Sequence, residues 1–332
     1  MTIAPAVAVV AALCAAPSGA GATAHPAAAL TSSPATRAAA VAGTSCRVFP
    51  ATSIFHADIS KAPVNVHSSS WLSHMQTSSR RLHPDFGPSY GAQPVPYGIP
   101  VTVVKASHAT VAVRFTYASE SDRRRYPLGS DTKIEGGAGA GGDRHAIVVD
   151  ASTCRLYETW NTRHAAGGWT AGSGASWLLT SNALRTRGWT SADAAGLPIL
   201  AGLLTYDEVK AGNVDHPIRF TTDVTARRYV WPARHQAGST ASTAYPPMGA
   251  WFRLKSSFKI SGYSRDAQVV LRAMKTHGLI LADNGSPWYF QGTSDTRWKG
   301  SFVDELKKVP ASAFQAIDVS SMMKSVSSGA VR

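Results

Sequence analysis

Two short segments concentrate side chains that can exchange protons. Asp143-Arg144-His145 leads into a β-branched run, and Tyr157-Glu158-Thr159-Trp160 ends the run that follows. Alternate side chains share a face of a strand, so Asp143 goes with His145 and Glu158 goes with Trp160. Whether the two pairs meet depends on the register of the hairpin between them. A loop over 151–153 pairs Ala146 with Glu158 and sets His145 opposite Thr159, whereas a loop over 150–153 sets His145 opposite Glu158. The second register builds two acids, an imidazole and an indole into one floor. Glycoside hydrolysis needs such a floor: one protonated carboxyl, one carboxylate, and an aromatic surface for the sugar ring.

Glu158, Asp143 and His145 are therefore the catalytic candidates, and Glu135, Asp193 and Asp283 are further acids that could complete a pair. A second cluster, Trp231-Pro232-Ala233-Arg234-His235, ends another strand-like run. There Arg234 suits a substrate carboxylate, and His235 suits proton transfer, as a lyase acting on an acidic glycan requires. Trp160, Trp231, Arg234, Asp193 and Asp283 make up the expected substrate-binding set. Two of these have competing structural roles. Asp193 falls at the third position of a helix if Thr190 caps it, and Asp283 precedes the turn formers Asn284-Gly285. Asp207 and Glu208 read as helix N-terminal residues that complement the dipole.

Other chemistries lack their residues. No G-x-S-x-G elbow occurs, the histidines have neither HExxH nor HxH spacing, and no EF-hand loop is present. The glycines of 136–142 carry no Gly-Lys-Ser/Thr for phosphate and magnesium. No cofactor and no metal site is expected, structural calcium on loop carboxylates being the one ion the composition allows.

Several stretches together resemble a family of secreted actinobacterial and other soil-bacterial proteins of uncharacterised activity. They are Leu82 to Gly87 (LHPDFG), Ile134 to Gly137 (IEGG), Gly142 to His145 (GDRH), Gly188 to Ile199 (GWTSADAAGLPI), Trp231 to His235 (WPARH), Pro246 to Gly249 (PPMG) and Ala282 to Ser286 (ADNGS). The resemblance covers most of 46–320 and implies export. Some members are labelled nucleotide-binding, a label that the missing phosphate loop does not support.

The elements that must position these groups are mostly strands. Runs at 97–105, 110–117, 145–150, 154–160, 218–221, 229–231, 251–254, 279–282 and 288–291 are rich in β-branched and aromatic residues. Helix signals are few. Ser264 to His277 carries an apolar stripe stopped by Gly278, Thr205 to Glu208 is a capping box with Gly212 as its stop, and 301–308 is a late helix. The expected fold is mostly β, a β-sandwich or jelly-roll-like domain with a few short helices.

Length and charge bound the rest. The chain has 332 residues, 33 Lys and Arg against 20 Asp and Glu, a net charge of +13, and nine tryptophans. This excludes collagen-like, coiled-coil and wholly disordered classes. The apolar run at 3–16 followed by small residues reads as a signal peptide over 1–24, although no Lys or Arg precedes Arg37. A Pro/Ala/Ser/Thr linker follows over 25–44, then one domain over 46–320 and a C-terminal tail over 321–332. Cys14 leaves with the leader, so Cys46 and Cys154 form the expected disulfide, whose long loop favours the fold by ~4–5 kcal/mol. The expected protein is a secreted monomer acting on a polysaccharide or cell-wall glycan, with neither nucleic acid nor membrane as partner. It is a glycoside hydrolase, with a polysaccharide lyase or a lectin-like wall-binding module as alternatives.

Overall fold

The computed structural model describes residues 40–89 and 95–332. The signal peptide over 1–24 and the part of the linker before Ala40 lie outside the described residues. The fold is mostly β, as the strand-like runs require.

A four-stranded sheet carries the first chemistry-bearing hairpin. Its order is Val101–Val104, Ala146–Asp150, Arg155–Trp160 and Ser173–Leu178, the first pair parallel and the others antiparallel. Both faces are covered, so the strand is apolar and buried from Ala146 to Val149, before Asp150 at its end. Ile147 and Val149 enter the main core, while Val148 joins a second core with Val104, Tyr126 and Leu128. A three-stranded sheet (Val113–Phe115, Gly168–Ala171, Arg163–Ala165) covers that second core with Val113, Phe115 and Trp169.

A six-stranded mixed sheet forms the other layer. Its order is His83–Asp85, Tyr289–Gln291, Ile218–Thr222, Leu279–Asn284, Trp251–Leu254 and Phe314–Ile317. Phe220, Leu281 and Phe252 from this sheet share the main core with Ile147, Leu156 and Trp177 of the four-stranded sheet. The helix Arg265–Thr276 packs Val270, Leu271 and Met274 into the same core; Ser264 caps its start, and Gly278 follows its end at φ 78°. The capping box at Thr205 and Glu208 opens the helix Tyr206–Ala211, and Gly212 ends it in the left-handed region.

The hairpin register is neither of the two expected. Asp150 pairs with Arg155, so Ile147 stands opposite Glu158 and Ala146 opposite Thr159. The Asp150 carboxylate accepts hydrogen bonds from Ser152 N, Ser152 Oγ and Thr153 Oγ1, and Cys154 takes a left-handed φ of 48°. Cys154 is thereby drawn into the turn and pairing starts one residue later. Its sulfur bonds to Cys46 across 108 residues of chain, the disulfide expected from the sequence.

Two further expectations are corrected. Thr190 opens no helix: the Ser191 hydroxyl accepts from Asp193 N at 2.9 Å and closes a tight turn instead. Residues 321–332 are not a loose tail. Met323–Ser325 and Ser328–Val331 form a hairpin, and Gly329 N donates to Asn182 O while Val331 N donates to Thr52 O.

Candidate functional site

A cleft of about 330 Å³ opens between the ends of the two large sheets, lined by Tyr117, Glu120, Asp143, Trp160, His235 and Asp283 among others. Trp160 is the last residue of its strand. Its ring lies against Gly172, where a Cβ would sit 2.1 Å from the indole, so only glycine leaves the ring its seat. Tyr117 stacks with this ring, with centroids 6.3 Å apart and planes at 28°.

Asp143 is fixed beside this pair. Arg144, at φ 52°, sends its guanidinium inward to the carbonyls of Ala140, Gly137 and Thr162. The turn leaves Asp143 exposed, its Oδ1 accepting from Trp160 Nε1 at 3.1 Å and its carbonyl accepting from Asn161 N.

Asp283 enters from the six-stranded sheet. The pairing of Leu279–Asn284 with Ile218–Thr222 slips between Leu281 and Asp283, and such a bulge re-aims the side chain that follows. The strand therefore continues through Asp283 and Asn284, where the sequence suggested a turn. Asp283 Oδ1 accepts from Asn284 N at 2.7 Å, and its Oδ2 stands 3.9 Å from Arg219 Nη2. Burial, then the neighbouring Asp193 charge, push its carboxyl up to about 7, against the opposing pull of Arg219. Its side chain still keeps 26% exposure at the cleft floor.

His235 and Glu120 face each other on the far wall, Nε2 to Oε2 at 3.7 Å. The carbonyl of Ala194 lies 2.7 Å from His235 Nδ1, so that nitrogen carries the hydrogen. Glu120 is anchored by Thr190 N at 3.1 Å.

Of the residues singled out from sequence, Asp143, Trp160, His235 and Asp283 meet in this cleft, and six others, Glu135 among them, lie elsewhere. Glu158 is fully buried, its oxygens accepting from Ile199 N and Leu200 N at 2.9 Å each. Burial raises its carboxyl to about 7, those two hydrogen bonds opposing. It holds the 3₁₀ turn Leu200–Gly202 rather than a substrate. His145 is buried against Glu135, Nδ1 to Oε2 at 2.7 Å, with Nε2 3.2 Å from Ala192 O. Burial disfavours the charged ring, but the Glu135 charge and hydrogen bond outweigh it and bring the imidazole to about 9. Asp193 is buried and grips Arg219 through two hydrogen bonds of 3.0 and 2.6 Å. Arg234 spends its donors on the carbonyls of Arg185 and Val326. Trp231 donates to Ser328 O of the C-terminal hairpin.

Tyr117 and Glu120 were not singled out beforehand. Glu120 sits beside Asp122 and Arg123-Arg124-Arg125, a charge run that reads as solvated loop, and only the fold turns it toward His235.

A larger cavity of about 810 Å³ lies near Val101, Leu203 and Tyr206. Its acids are mostly engaged: Glu208 with Thr205 and His216, Asp207 and Asp295 with Arg297. Among the described residues, no group of three or more His, Cys, Asp or Glu is placed to hold a metal ion, and no helix is long and apolar enough to cross a membrane. Compared with known proteins, the chain matches no family model, no curated protein and no solved structure.

Proposed function

We propose that this protein is an exported carbohydrate-active hydrolase that cleaves an extracellular glycan in the Asp143–Asp283 cleft. One observation carries the reading: Asp283, a carboxyl that burial raises to about 7, shares a cleft with a second carboxylate and a stacked aromatic pair. A sugar ring lies against Tyr117 and Trp160 with its apolar face. Asp283 donates its proton to the leaving oxygen, and Asp143, exposed in the loop that leads into the strand Ala146–Asp150, serves as the second carboxylate, with water completing the hydrolysis. His235 and Glu120 bind hydroxyls at the wall. Export is supported by the Cys46–Cys154 bond, since such bonds persist in oxidising compartments.

The geometry disfavours the lyase, which needs a cation against the substrate carboxylate: Arg234 is turned away to backbone carbonyls. A lectin-like role uses the same aromatic pair without the acid. Release of reducing ends from a glycan panel separates the two. Asp283→Asn and Asp143→Asn should each abolish release while leaving glycan binding in place. Full activity in Asp283→Asn rules out this acid, and binding with no cleavage by the unaltered protein leaves the lectin.

A further inference from the structure

The outward face of the three-stranded sheet carries two arginines that the cleft does not use. The central strand Gly168–Ala171 places Thr170 opposite Arg114 on one side and opposite Arg163 on the other. Directly paired residues share a face, so Arg114, Thr170 and Arg163 form one row across the sheet. Two strand spacings separate the arginines, about 10 Å. The alternate residues Val113, Phe115 and Trp169 point inward to the second core, which leaves this row on the solvent side.

Both arginines are exposed. Arg114 donates to Gly167 O and Arg163 to Asn161 Oδ1, and among the described residues neither has a carboxylate within 4.0 Å. Like charges on one sheet face oppose each other. An anion laid along the row reverses that cost. Guanidinium forks suit carboxylate, sulfate or phosphate groups, and the Thr170 hydroxyl between them offers a further donor.

The row is also tied to the cleft by the chain itself. Tyr117 lies three residues after Arg114, and Trp160 lies three residues before Arg163. Each arginine thus sits three residues from one ring of the stacked pair. The pairing continues between them, with Thr116 N and Tyr117 N donating to Ala171 O and Gly172 O.

We propose that the Arg114–Thr170–Arg163 row is an anion-binding platform that holds the acidic substituents of a glycan whose neighbouring ring occupies the Tyr117–Trp160 cleft. The substrate class is then a glycan with spaced anionic groups, which rests on the hydrolase reading only for the cleavage step. A continuous phosphate backbone fits less well. It would bring charge to every unit against Glu120, Asp143 and Asp283, whereas a glycan presents an uncharged ring to those acids and its charge to the row.

The test is retention on immobilised carboxymethyl-dextran and dextran sulfate, each sparsely substituted so that uncharged rings separate the charged ones, with dextran as the neutral control and duplex DNA as the nucleic-acid arm. The unaltered protein should bind one or both charged glycans more tightly than dextran, with affinity falling as salt rises. The relative affinities of the two charged glycans distinguish carboxylate from sulfate recognition. The double variant Arg114→Gln/Arg163→Gln should lose about tenfold or more in affinity for that glycan and flatten the salt dependence. Its unchanged melting temperature would show that the fold is kept, and Arg114→Lys/Arg163→Lys should restore part of the affinity. Asp283→Asn should abolish hydrolysis yet keep charged-glycan retention, so failure of the hydrolase reading and failure of the platform give different results. Equal retention of the double variant, no preference over dextran, or tighter binding of DNA than of either charged glycan overturns the proposal.

Discussion

Arg219 gives two hydrogen bonds to Asp193 and stops 3.9 Å short of Asp283. Had the guanidinium met Asp283 instead, the cleft would hold a salt-bridged carboxylate. Burial first, and then Asp193, which occupies the cation and repels a second negative charge, raise the Asp283 carboxyl to about 7. Activity carried by its proton declines as the pH rises through this value. Asp193→Asn removes the repulsion and loosens the hold on Arg219, both of which favour ionised Asp283. The alkaline limb of the kcat/KM profile should then move to lower pH. A limb that stays in place would separate Asp283 from the acid role.

Gly172 sets the position of Trp160, since a methyl group there meets the indole at 2.1 Å. Gly172→Ala should displace the ring and weaken glycan binding by about 1 kcal/mol, the scale of one aromatic stacking contact. Titration with an oligosaccharide that binds the unaltered protein measures this. Affinity equal to the parent's would mean that the ring tolerates the shift or contributes nothing.

Glu158 has a structural task, and its variant should say so. In Glu158→Gln one oxygen becomes an amide nitrogen facing Ile199 N or Leu200 N, and a buried N–H loses its acceptor. The expected cost is about 1–3 kcal/mol of stability. Turnover under conditions where the variant remains folded should be retained. Denaturant melts and reducing-end assays on the same preparation check both halves.

Stability should fall with rising pH across two windows. Asp283 and Glu158 titrate near 7 in the fold against ordinary values of 3.8 and 4.5. The folded state therefore binds their protons more tightly, and that advantage fades from about pH 4 to about pH 7. His145 titrates at about 9 against 6.5, so its contribution is complete below 6.5 and is lost as the pH rises through 9. His216, raised to about 9 where burial is outweighed by Glu208, acts with the same sign. Unfolding free energies measured from pH 5 to 9 should slope downward, and His145→Gln should flatten the slope above 6.5. A slope unchanged in that variant would mean that His145 binds its proton no more tightly in the fold than in the unfolded chain.

The strands were legible because β-branched runs bounded by Gly and Pro repeat along the chain, and the capping box at Thr205 was legible because its two partners are three residues apart. The cleft was legible in part. Asp143 and Trp160 were expected near one hairpin, and that is where they lie. Glu158 was misread because its partners, Ile199 and Leu200, are some forty residues away and are backbone N–H groups that any sequence could supply. Asp283 was half read: its local sequence signals a turn, and the bulge that carries the strand past it depends on pairing with Ile218–Thr222. Arg234 and Trp231 read as substrate-binding groups because acceptors that engage them, Val326 O and Ser328 O, belong to a C-terminal segment whose composition suggests a tail.

That segment bears on how the protein can be handled. Ser328 O and Val326 O are the acceptors for Trp231 and Arg234, and Arg234 N and His235 N in turn donate to Ala195 O beside the cleft. Trimming residues 321–332 would strand the buried Arg234 donor and the half-buried Trp231 donor and loosen the wall that holds His235.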